Sequence, residues 1–217
     1  IPAALAWSPR PEADGRAEYL FALANAGRFD PAWEPLVERN LRDPDPAARA
    51  FAIRAKARLT GDRAFALREL SGLVQRDPTE SARAAECLGE LGVAAAETLP
   101  VLESALRRAE TWFDRIPVAE AILRVDDGWR GDQAGMEPDT AGARTAAGLA
   151  MATLLKAIAA DSPYVAVAAA RAFERVRPPV ARVEPVFQEA LRRWPGDVRR
   201  AAELRSVLRG LQAKASN

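Results

Sequence analysis

Apolar residues recur at helical spacing along almost the whole chain, in short blocks broken by proline and aspartate. The stretch 43–59, DPDPAARAFAIRAKARL, shows the pattern in full. Ala48, Phe51, Ala52, Ala55 and Leu59 follow i, i+3, i+4, i+7, i+11 spacing and share one helix face. Asp45 is placed to cap that helix, and Pro46 suits its first position. Arg54 and Arg58 flank the apolar stripe on one side, Arg49 and Lys56 on the other. Ala50 and Ala57, with Ile53 nearby, stand on the far side, where small residues suit either open surface or a second close neighbour. A preceding helix over about 31–42 carries Trp33, Leu36, Val37 and Leu41. Two such short helices cannot bury both stripes by themselves.

The same device recurs. Taking Arg16, Arg49, Arg83, Arg115, Ala166 and Arg199 as equivalent positions, the intervals are 33, 34, 32, 51 and 33 residues. A period in this range marks stacked helical hairpins. The long interval contains VDDGWRGDQAGMEPDT (125–140), the least helical stretch of the chain. First helices are predicted over 62–75, 95–108, 141–160 and 180–193, each followed by a second helix after a short polar break such as RDPTE, ADSP or WPGD. Short connections make neighbouring helices antiparallel. The expected fold is therefore all-α: an α-α superhelix, a right-handed solenoid of antiparallel hairpins in which each repeat touches mainly its neighbours.

These residues resemble the HEAT-repeat family, including the HEAT-like repeats of phycobilin lyases. The family pattern is an Asp-rich turn, then Val-Arg, then Ala, Ala and Leu at helical spacing. DPDPAARAFA (43–52) carries it with Ala48 in place of Val. WFDRIPVAEAILRV carries it at Arg115, Ala119 and Ile122, and SPYVAVAAARAF has Val165 but lacks the arginine. The resemblance covers nearly the whole chain as about five and a half repeats, a single domain over 1–217 with a loop insertion at about 126–140. It implies that Asp43 and Arg49, Arg83, Arg115 and Arg199 form a ladder of structural contacts. It implies little about function, because one fold serves many activities.

Composition narrows the chemistry. The chain has no histidine, which removes the commonest general base and metal ligand. Its one cysteine, Cys87, lies on an apolar stripe and has no histidine to activate it. There is no glycine-rich phosphate loop and no GxSxG, so catalytic residues, cofactor and metal are all expected to be none. No apolar run approaches the length of a membrane span. The net charge of +1 is unevenly spread: residues 80–140 hold 6 basic and 13 acidic side chains, residues 141–217 hold 13 and 6.

The candidate partner-binding residues are Trp129, Arg130, Asp132 and Met136 in the loop, Trp112 and Phe113 at a turn, and Arg54 and Arg58 on the flank of the 46–59 helix. Trp and Arg are favoured interface anchors. Trp129 is equally suited to fold back on the core, and Trp112 and Phe113 to act as lids. The expected function is a non-catalytic scaffold for a protein or peptide, or for another domain of the same polypeptide. AAETLPVLESALRRAETWFDRIPVAEAILRV also looks like the C-terminal repeats of several bacterial sulfatase-like enzymes, and the chain starts without Met. An accessory domain cut from a larger enzyme is thus the alternative. The basic last third leaves a nucleic-acid binder as a further one.

Overall fold

The computed structural model describes residues 16–25, 30–76, 78–130 and 145–215. These are helical throughout, with no strand among the described residues. The chain divides into two compact units at 73/74.

The first unit contains α1 (Arg16–Asn25), a 3-10 turn (Pro31–Trp33), α2 (Glu34–Asn40), α3 (Pro46–Thr60) and most of α4 (Arg63–Arg76). The entry to α3 is built as its sequence predicts. Asp45 Oδ1 accepts a hydrogen bond from the Ala47 amide at 2.9 Å, and Pro46 opens the helix. Asp43 Oδ1 accepts from the Asp45 amide, tightening the turn. Arg49 then reaches back six residues and donates to the Asp43 carbonyl at 2.6 Å. At the other end Gly61 adopts φ +74°, the left-handed conformation that ends a helix at little cost when no Cβ is present.

α3 packs against both α1 and α2. The predicted stripe of Ala48, Phe51, Ala52 and Ala55 is buried, and Phe51 meets Phe21 edge-on at 5.2 Å. The far side is buried too, at Ala50, Ile53 and Ala57. The small residues there serve a second close neighbour and not open surface.

The second unit runs through α5 (Pro78–Leu91), α6 (Leu99–Arg108), α7 (Trp112–Val125), α8 (Ala146–Ile158), α9 (Pro163–Val176), α10 (Val180–Arg193) and α11 (Val198–Ala215). α10 has the bounds its sequence predicts. α6 is shorter than predicted, because residues 92–98 form a 3-10 stretch interrupted at Ala95. The 141–160 prediction yields one helix among the described residues, capped by Thr145, whose hydroxyl accepts from the Gly148 amide.

The packing has two layers. α7 contacts α5 and α9, and α9 contacts α11; behind them α8 contacts α6 and α10. Alanine makes the close approach possible. Ala84, Ala85, Ala119, Ala166, Ala169 and Ala170 are fully buried on the first layer. Between α5 and α7 the helices come closer still. A Cβ added at Gly89 would lie 3.0 Å from the Ala121 Cα. Gly89→Ala should therefore destabilise the protein despite the better helix propensity of alanine, by about 1 kcal/mol net of overpacking and propensity. Urea denaturation checks this, and a stabilised variant would contradict the close contact.

Arginine–glutamate pairs join consecutive members of the first layer. Arg124 of α7 pairs with Glu90 of α5 at 2.6 Å, Arg175 of α9 with Glu120 of α7 at 2.5 Å, and Arg171 of α9 with Glu203 of α11 at 3.4 Å. These pairs stand beside the expected arginine struts. Arg115 does act as a strut: its Nε donates to the Ala109 carbonyl at 2.8 Å, six residues back, as Arg49 does. Arg83 is exposed and pairs with Glu86. Arg199 is exposed, while its neighbour Arg200 is buried and donates to the Asp161 carbonyl in the turn between α8 and α9.

Candidate functional site

One face of α5, α7, α9 and α11 lines a groove of about 620 Å³. The lining follows helical spacing on each element: Arg83 and Glu86 on α5, Phe113, Ile116, Pro117 and Glu120 on α7, Tyr164, Val167, Ala168, Arg171 and Arg175 on α9, and Arg199, Arg200 and Glu203 at α11. Apolar side chains and charged pairs share this lining.

Two aromatic side chains dominate the surface. Phe113 is 72% exposed and Tyr164 71%, the second residue of α7 and of α9 respectively. The second residue of α11 is Arg199. Equivalent positions on three alternate helices, α7, α9 and α11, thus present an aromatic ring, an aromatic ring and a guanidinium. Local structure fixes the row. Thr111 caps α7 by accepting from the Asp114 amide, Pro163 opens α9, and Asp197 Oδ1 accepts the Arg200 amide at the start of α11. Trp112 lies half-buried beside Phe113, with the Arg115 guanidinium 5.7 Å from its ring centre.

The charged side chains are largely self-neutralised. Arg83 is matched by Glu86, Arg171 by Glu203, Arg175 by Glu120, and Arg200 by Asp197 at 3.2 Å. Glu120 is buried, and both its oxygens accept from Arg175. Those hydrogen bonds raise the pKa of Arg175 above its ordinary value against the opposing effect of burial, and the charges of Glu120, Glu86 and Glu90 add to the rise. Arg199 has no hydrogen bond or ion pair among the described residues. Arg200 stacks on Trp194, its guanidinium 4.0 Å from the ring centre.

Of the residues singled out in the sequence, Trp112 and Phe113 come together in this groove. Trp129 does not. It is buried, and its Nε1 donates to the Leu123 carbonyl at 2.7 Å, so the indole closes the end of α7 and is not displayed to a partner. Arg130 closes the short 3-10 turn Gly128–Arg130; Asp132 and Met136 lie outside the described residues. Arg54 is also turned inward, whereas Arg58 stays exposed and is tied down by its guanidinium. Arg54 is buried and donates to Asn25 Oδ1 at 2.9 Å, and Arg58 donates to the Ala24 carbonyl, so both fasten α1 to α3. Sequence reasoning missed Tyr164. The signal was present: Tyr164 precedes Ala166 by two residues, as Phe113 precedes Arg115.

Cys87 is buried, as its place on the stripe predicts. No group of acidic or cysteine side chains arranged to hold a metal occurs among the described residues, and no described helix is long and apolar enough to cross a membrane. Comparison with known proteins finds no matching family model, no similar curated protein and no similar solved structure.

Proposed function

We propose that this chain is a HEAT-like repeat module, a right-handed superhelix of helical hairpins that recognises a protein or peptide segment in the groove of its second helices. The observation that carries the reading is the pair of exposed rings, Phe113 and Tyr164, at equivalent positions beside apolar lining residues. Large apolar side chains left exposed together over a concavity mark binding sites. The repeat reading is supported by the alternating layers and by the shared strut of Arg49 and Arg115. The groove offers no cysteine or histidine, and its carboxylates each sit against a guanidinium, which favours recognition over bond-making. A nucleic-acid duplex fits less well. Most lining arginines are matched by carboxylates, so little positive charge is left for a phosphate backbone.

The test compares the whole chain with its Phe113→Ala/Tyr164→Ala variant in quantitative capture from the native lysate. Both substitutions are at exposed positions, so the thermal melt should be unchanged. Proteins captured by the wild type should be lost from the variant. An identical captured set with an identical melt would defeat the groove as the recognition surface.

A further inference from the structure

We infer that the groove takes an acidic amphipathic peptide segment, which sets apolar side chains between Phe113 and Tyr164 and one side-chain carboxylate against Arg199 and Arg200. The inference rests on the groove reading above and names the occupant's chemistry. Size comes first. About 620 Å³ falls in the range of pockets that enclose small ligands, room for a few side chains and not for a domain face. Polarity comes next. The row across α7, α9 and α11 runs from two rings to a guanidinium, so the complementary segment is apolar along most of its length and negative at one end.

Charge complementarity then selects the anion. The lining holds Arg83, Arg171, Arg175, Arg199 and Arg200 against Glu86, Glu120, Asp197 and Glu203, an excess of one positive charge. That excess is localised. Arg199 is exposed and has no partner among the described residues. Arg200 is 3% exposed, lines the same end, and its Nη1 makes no hydrogen bond. Arg199 offers its guanidinium donors to solvent at this end, and a carboxylate arriving there gains a charge-assisted contact beside the second guanidinium, that of Arg200. The source of the carboxylate is a side chain. A peptide C-terminus is captured by free backbone amides, whereas at the start of α11 the Arg200 amide already donates to Asp197 Oδ1.

The probe is the sequence that a random dodecapeptide phage library enriches on the whole chain, synthesised with a fluorescent label and read by anisotropy. The enriched sequence should carry an aspartate or glutamate within about one helical turn of apolar residues. Arg199→Gln should weaken its binding by about tenfold or more, the loss expected for a charge-assisted contact. The peptide with its acid changed to the amide should bind wild type and Arg199→Gln equally. Three results would overturn the inference: enrichment of neutral or basic sequences, no effect of the acid-to-amide change, or dependence on the free C-terminus. An RNA oligonucleotide that binds with Arg199 dependence in place of the peptide would overturn it as well. The Phe113→Ala/Tyr164→Ala variant separates the two levels. Peptide binding lost in that variant but indifferent to Arg199 sinks the acidic occupant and keeps the groove; binding that ignores both aromatic residues sinks the groove itself.

Discussion

Phe173→Ala should lower the unfolding free energy by about 3–5 kcal/mol, the range for deleting a fully buried ring. Phe173 is fully buried on α9 and lies 6.1 Å from the equally buried ring of Phe187 on α10. The pair joins the front layer to the back layer, so the cavity would open between them. The other buried residues of α9 are alanine and valine, short side chains that fill little of such a cavity. Urea denaturation followed by helical circular dichroism measures the loss. Because the rings touch, Phe173→Ala and Phe187→Ala together should cost less than the sum of the two. A loss under about 1 kcal/mol for Phe173→Ala would mean that the ring is not the bolt between layers.

Arg175→Met should be the most damaging substitution on the groove's own surface, at about 2–3 kcal/mol. The reason is the state in which it leaves Glu120. That carboxylate is buried on α7, and in the wild type both its oxygens are held by Arg175. Methionine keeps the packing of the arginine stem but removes both donors. Arg124, 3.6 Å from Glu120, remains as a partial replacement, which sets the figure below that of a wholly orphaned charge. The companion variant Glu120→Gln/Arg175→Met should recover part of the loss, because no charge is then left buried. If Arg175→Met unfolds like the wild type, the pair is an ordinary surface bridge of little worth.

How far the sequence led can be traced residue by residue. Asp45, Pro46 and Gly61 punctuate α3 through backbone chemistry that acts within four residues, and the bounds of α10 follow from its apolar spacing in the same way. Burial of the α3 stripe follows from its period. The register of the arginines was harder. SARAAE and DVRRAAEL place arginines within a turn of several alanines, and spacing alone cannot say which one meets a turn carbonyl. Burial decides it, in favour of Arg200 over Arg199. Trp129 shows the same limit. An indole in a polar loop reads as an anchor until a carbonyl six residues earlier is seen to accept its N–H. The pairs joining the front layer bring together residues such as Glu120 and Arg175, 55 apart in the chain, which no local pattern encodes. Tyr164 is hidden for a simpler reason: its repeat has Ala166 where the others have the marker arginine.

The central claim is that recognition occurs at the row formed by the first turns of α7, α9 and α11. Amide hydrogen exchange of the whole chain, with and without the enriched peptide bound, tests it most directly. Binding should slow exchange in the opening turns of these three helices, around Phe113, Tyr164 and Arg199, and leave α1 to α3 unchanged. Protection confined to α1–α3, or to the segment around Trp129, would contradict it.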